Sequence, residues 1–189
     1  KGQGKRISLS AEQLKLTAKS SIGIPSVAEE IQIRHLVSQI ELLEKQLSEI
    51  DKRIEEFSLK NNSPILTIPG ISHFSGTSII SELGDICNYT KASQIIKFAG
   101  VAPYHYESSQ FTAQHTAITK KGSKYLRKTL YQIILPVISN NEVFYAYYTK
   151  KLNEGKGHRC AQGHCIRKLL RVIYHLLSTR QPFNPKLLV

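Results

Sequence analysis

Between residues 33 and 57 apolar side chains recur at alternating steps of three and four: Ile33, Leu36, Ile40, Leu43, Leu47, Ile50, Ile54 and Phe57. A half-buried strand needs every second residue apolar. A period of 3.5 held for four heptads is instead the a/d seam of a coiled coil. Glu, Lys, Gln, Arg and Ser dominate the positions between. Ser26 with Glu29 forms a capping box that starts this helix, and "NNSP" at 61–64 ends it. At 1.5 Å per residue the helix reaches roughly 50 Å. Two arrangements satisfy such a seam: an intermolecular or hairpin coiled coil, or a long helix folded back on its own domain.

The rest of the 189-residue chain is punctuated as helices. Ser10 with Gln13 is a second capping box, predicting a short helix from 11 to about 20. Thr90 can cap "KASQIIKF", closed by Gly100, and Ser123 can cap a helix through Leu135. Asn141 can cap "EVFYAYYTKKLNE", and a last helix runs from about His158 to Ser178. Residues 101–118 show no sustained period and read as a loop or irregular extended segment. The expected fold is all-α: an N-terminal segment (1–26), a coiled coil (27–60) and a compact helical domain (61–186).

Charge is distributed unevenly. Residues 1–87 carry 10 Lys/Arg against 11 Asp/Glu, whereas residues 88–189 carry 16 against 3. The net charge of +12 therefore lies wholly in the C-terminal half. A field that one-sided calls for a polyanion, nucleic acid or an anionic membrane. The apolar run "IILPVI" is too short to span a bilayer. "KGQGKRISLS" lacks the apolar stretch of a signal peptide, and the chain holds no Met, so it is expected to start inside a longer gene product. The three cysteines, Cys87, Cys160 and Cys165, have no disulfide-framework spacing, which fits a reducing, cytoplasmic setting.

"TIPGIS" (67–72) sets Pro69 and Gly70 between two apolar patterns, the outline of a helix-hairpin-helix or of an ordinary helix–turn–helix connection. In the first case the amides of Ile71 and Ser72, at a helix N-terminus after the flexible Gly70, would meet a phosphate. Residues 103–128 combine Ser108, Ser109, His105 and His115 with Lys120, Lys121, Lys124, Arg127 and Lys128. Lys124 and Lys128 share a helix face, as phosphate-gathering groups would. The interleaved Tyr104, Tyr106, Tyr125 and Tyr131 serve either unpaired bases or the core. A serine attacking phosphorus needs a base or a lowered pKa, with cations to hold the developing charge. In "HRCAQGHC" (158–165), His158, Cys160, His164 and Cys165 are ligand types, but four ligands within eight residues of one helix do not converge on zinc, and no metal site is expected.

The series "ILTIPGIS…SIISELGDI…FAGVAPYHYESSQ…ITKKGSKYLRKTL…GK…A…RKLLRVIYHLL" resembles, from about Ser63 to Phe183, the C-terminal domain of the DEDD-type insertion-sequence transposases. These are RNA-guided DNA recombinases that also include a pilin-gene invertase. The resemblance implies a serine that links covalently to a DNA 5′ phosphate, within Pro-x-x-x-x-Ser-Gly. Counting from Pro103 gives Ser108, with Ser109 in place of the Gly and as the alternative nucleophile. The family's Ser-Lys-x-Gly-Asn…Leu-Arg run falls on Thr119, Lys120, Gly122, Ser123, Leu126 and Arg127, with Ser123 replacing the Asn.

The DNA-contacting set implied by charge and resemblance is Gly70, Ile71, Ser72, Lys120, Lys121, Lys124, Arg127, Lys128, Lys156 and Lys168. The family's four metal-binding carboxylates belong to an N-terminal RNase H-like domain, expected to use magnesium. Residues 1–26 hold one acid, Glu12, so no cofactor is expected in this chain and cleavage by it alone is not. The implied partners are DNA, a guide RNA and further copies of the chain through residues 27–60, in a bacterial or archaeal cytoplasm at the nucleoid, with no membrane. Two other functions use the same charge: a non-catalytic helix-hairpin-helix module on a coiled-coil dimeriser, and a pure assembly protein.

Overall fold

The computed structural model describes residues 10–23, 26–104, 107–108, 111–112 and 117–188. Among them seven α-helices account for the fold: α1 (Ala11–Lys19), α2 (Val27–Asn61), α3 (His73–Leu83), α4 (Ala92–Phe98), α5 (Lys124–Ser139), α6 (Glu142–Asn153) and α7 (His158–Thr179). Two two-residue strands, β1 (Glu107–Ser108) and β2 (Phe111–Thr112), add a small ribbon. The chain divides into two units, Lys1–Leu47 and Ser48–Val189.

In the first unit α1 begins with the reciprocal bonds expected of its capping box: Gln13 N–H donates to Ser10 Oγ at 3.2 Å and Ser10 N–H to Gln13 Oε1 at 3.0 Å. Helix α2 is one unbroken 35-residue helix starting after Ser26, whose Oγ accepts from Glu29 N–H at 3.4 Å. Its seam side chains, from Ile33 to Ile50 and again at Phe57, are at least half exposed. Ser58 is the helix's one buried residue, its Oγ 3.0 Å from His73 Nδ1.

The second unit is built around α7, which buries Cys165, Ile166, Leu169, Leu170, Ile173 and Leu176 among others against α4, α5 and α6. Helix α5 contributes Leu126, Leu130, Ile133, Ile134, Val137 and Ile138. Helix α3 lies along α5, with Ser78 Oγ and Thr129 Oγ1 3.2 Å apart. Helix α5 runs four residues past the expected end at Leu135, through Pro136. An interior proline costs about 3 kcal/mol. Burying Val137 and Ile138 beyond it recovers about 1.5–3 kcal/mol each. The extra turn wins.

The start of α4 also differs by one residue. Gln94 Oε1 accepts from Thr90 N–H at 2.6 Å and Lys91 N–H at 3.2 Å, so Lys91 becomes the N-cap in place of Thr90. Segment 101–118, expected as a loop or extended chain, begins and ends as a paired ribbon. Pro103 bridges Ile118, Tyr104 N–H donates to Ala117 O at 2.8 Å, and Thr119 N–H donates to Ala102 O at 2.9 Å. Further out Glu107 pairs with Thr112 and Ser108 with Phe111.

Candidate nucleic-acid interface

At the Pro-Gly turn both amides expected to meet phosphate are already bonded within the protein. Ile71 N–H donates to Ile68 O at 3.1 Å, closing a turn with Pro69 and Gly70 at its centre, and Ser72 N–H donates to Ser75 Oγ at 3.0 Å. Gly70 has φ +94°, and a Cβ on it would lie 2.6 Å from Val137 N and 2.7 Å from Pro136 O. The glycine is there because the turn rests directly on the backbone of α5. Packing against α5 accounts for Gly70, and the Ile71 and Ser72 amides have partners within the protein. Free amides are what an anion site needs, and these are spent.

The lysines fare differently. Lys120, Lys121, Lys124 and Lys128 are all exposed, around the N-terminus of α5. Residues 108–141 contain no acid to neutralise them. Lys124 Nζ stands 5.0 Å from the ring centroid of the exposed Tyr125, and Tyr131 packs against the core. The acid that does reach this region comes from α3. Glu82 Oε2 accepts a 2.6 Å bond from Ser123 Oγ, which itself accepts from Leu126 N–H at 3.0 Å and caps α5. The Ser123 hydroxyl thus both donates and accepts within the protein. Glu82 lies 41 residues from Ser123, so no local pattern announces the pair.

Arg127 does not extend towards solvent with the lysines. Its Nη1 donates to the carbonyls of Ala99 and Lys120, both at 3.2 Å. Both hydrogens of that nitrogen thus have partners within the protein. Lys168 is likewise turned inward. Its Nζ is 4.8 Å from the Tyr147 ring centroid and 5.7 Å from that of the buried Phe144, and burial lowers its pKa. Lys156 is exposed between α6 and α7. Nearby, burial, followed by Arg167, Lys151 and Lys156, lowers the pKa of His164. Arg167 Nη1 donates to Val101 O at 3.4 Å, a brace that sequence reasoning did not find.

Ser108 occupies the far end of β1, paired with Phe111. Ser109, His105, Tyr106 and His115 lie outside the described residues. In "HRCAQGHC" the four ligand types part company. His158 Nδ1 is 2.8 Å from the Tyr148 hydroxyl, Cys160 is exposed, and burial pushes the Cys165 thiol up to about 11. Among the described residues no three His, Cys, Asp or Glu side chains gather to hold a metal ion. No described helix is long and apolar enough to cross a membrane.

The stretch that holds the turn, α3, the ribbon and α5 has counterparts in known proteins. Residues 62–149 match the Transposase IS116/IS110/IS902 family. This stretch starts at the end of α2, includes the ribbon and α5, and stops within α6. The chain is 25% identical over 156 residues to the pilin gene-inverting protein of Moraxella lacunata, covering 82% of this chain and 48% of that protein. It is 24% identical over 152 residues to the 44.8 kDa protein of insertion element IS116 from Streptomyces clavuligerus, covering 79% and 38%. It is 25% identical over 121 residues to the mini-circle putative transposase for IS117 of Streptomyces coelicolor, covering 64% and 29%. The chain thus spans about half or less of the length of these curated relatives.

Proposed function

We propose that this chain is the C-terminal part of a DNA transposase or DNA-inverting recombinase, in which the ribbon presents Ser108 to a phosphodiester gripped by the α5 lysines. The observation that carries the reading is the family match over residues 62–149, which brackets both the ribbon and the acid-free lysine cluster at its foot. Lys120, Lys121, Lys124 and Lys128 contact backbone phosphates, a grip that reads no sequence and weakens steeply with salt. Ser108 Oγ attacks phosphorus, forming a serine–phosphate ester as the bond to the 3′ oxygen breaks. The serine proton leaves to a base, and the departing oxygen takes one up. Attack of a 3′ hydroxyl from the exchanged strand reverses the step and frees the serine. A guide RNA is a second polyanion for the same basic half.

A second copy of the chain is the partner we propose for the exposed seam of α2, with Ile at three of four a positions and Leu at two of four d positions. A non-catalytic hairpin clamp receives no support from the turn at 69–72, whose amides are engaged. The test uses the full-length protein with donor DNA and RNA. Ser108→Ala is expected to abolish the covalent protein–DNA adduct while equilibrium DNA binding stays within about twofold of wild type. An adduct that persists with both Ser108 and Ser109 replaced would overturn the assignment.

A further inference from the structure

The ribbon that ends near Ser108 is two residues wide at its described tip, and so short a hairpin cannot fix its own direction. Its direction is set at the root. There the chain leaves the helical core at Gly100 and returns at Lys120, and backbone bonds join the two arms: Lys120 N–H to Gly100 O at 3.0 Å and Thr119 N–H to Ala102 O at 2.9 Å. Ser123 N–H to Phe98 O, at 2.7 Å, ties the cap of α5 to the end of α4.

We propose that Arg127 is a positioning residue, a fork that clamps the two arms of the ribbon together and so sets where Ser108 stands, and that it takes no DNA phosphate. This rests on the function proposed above. Its Nη1 carries two hydrogens, and one serves each arm: Ala99 O on the way out and Lys120 O on the way back, both at 3.2 Å. The surrounding backbone is shaped to admit the guanidinium. Gly100 has φ +67°, and a Cβ there would come within 2.6 Å of Arg127 Nη1 and 2.8 Å of Lys121 O. Lys120 itself has φ +55°, a left-handed conformation that costs a non-glycine residue about 1–2 kcal/mol. That cost is met where its carbonyl turns to the fork.

The platform under the fork is fixed as well. Glu82 holds Ser123 at 2.6 Å, Ser123 caps α5, and Arg127 stands one turn further on. From α7, Arg167 adds a longer brace of 3.4 Å to Val101 O in the same segment. A guanidinium suits this task because it is planar, presents several donors in fixed directions and never loses its charge at accessible pH. A lysine ammonium also has hydrogens for two carbonyls, but they rotate freely on a flexible stem, so it holds the pair without the fixed directions of the guanidinium. The consequence for reaction is geometric: an error of about 1 Å in a nucleophile costs on the order of a hundredfold in rate.

Charge and rigidity separate in Arg127→Lys, which keeps the first and loses the fixed donor directions of the second. In full-length protein, hydrogen exchange at the Thr119 and Lys120 amides is expected to speed up about tenfold or more. With DNA at saturation, the single-turnover rate of adduct formation is expected to fall by roughly 10–100-fold. The slope of log K against log salt should stay at the wild-type value in both Arg127→Lys and Arg127→Ala, while Lys124→Ala lowers its magnitude by about 0.9. If Arg127→Lys restores wild-type exchange and rate while Arg127→Ala lowers the slope by about 0.9, Arg127 is a phosphate ligand and the clamp is refuted. Should Arg127→Lys not fold, Arg127→Gln, which keeps a donor, takes the same exchange measurement with the same two outcomes. A wild-type protein that forms no adduct at all strikes the functional reading instead, because the exchange result decides the clamp without DNA.

Discussion

Helices α2 and α7 are both long and amphipathic, but α7 buries ten of its 22 residues and α2 buries one of 35. The difference lies in the width of the apolar stripe. On α7 the buried residues come as neighbouring pairs, Cys165 with Ile166, Leu169 with Leu170, Val172 with Ile173, and Leu176 with Leu177. That breadth suits a helix surrounded by several others. On α2, between residues 33 and 57, such pairs are confined to Leu36 with Val37 and Leu42 with Leu43, and from Leu47 to Phe57 the seam is one residue wide at each step, which suits contact with a single partner helix. Period states that a face needs covering; width states by how much.

Three substitutions press on that contrast. The largest effect belongs to Leu169→Ala, which empties a fully buried position on α7 and should lower the stability of the C-terminal unit by about 2–5 kcal/mol in denaturant unfolding. A loss under 1 kcal/mol would mean the wide face is far less tightly packed than its burial implies. Next comes Gly70→Ala, where the crowded partner is main chain on α5. Strain at φ +94° and contact with Val137 N should cost about 1–3 kcal/mol, read as a lower melting temperature of the same transition. An unchanged melting temperature would detach the turn from α5. The smallest effect on that transition is expected from Leu43→Asp on α2, within about 0.5 kcal/mol. Sedimentation of the same variant should show the loss of self-association. If it unfolds the C-terminal unit as Leu169→Ala does, the seam is covered by its own chain and the contrast fails.

How much of this was readable beforehand depended on how local each signal was. The caps at Ser10, Ser26, Ser123 and Asn141 were legible because their partners sit two or three residues away. The ribbon was not, since two-residue strands carry no alternation and its register is fixed by bonds between distant residues such as Ala102 and Thr119. The lysines at the start of α5 are read from charge alone, and the structure adds that they are exposed. For Arg127 the same signal says less: charge marks a cation without saying whether a carbonyl 28 residues away will claim it. At "TIPGIS" the need for glycine was legible, but the cause was not. A positive φ and a close approach are demanded equally by a phosphate and by the backbone of another helix, and here α5 is what approaches.

The thiol of Cys165, enclosed on α7 and pushed up to about 11, has a practical consequence. At neutral pH that thiol stays almost wholly protonated, and the reagent must also reach it. Alkylators therefore meet Cys87 and Cys160 at the surface long before Cys165. The protein holds a built-in clock for the breathing of its own interior, readable by mass with nothing added to the sequence.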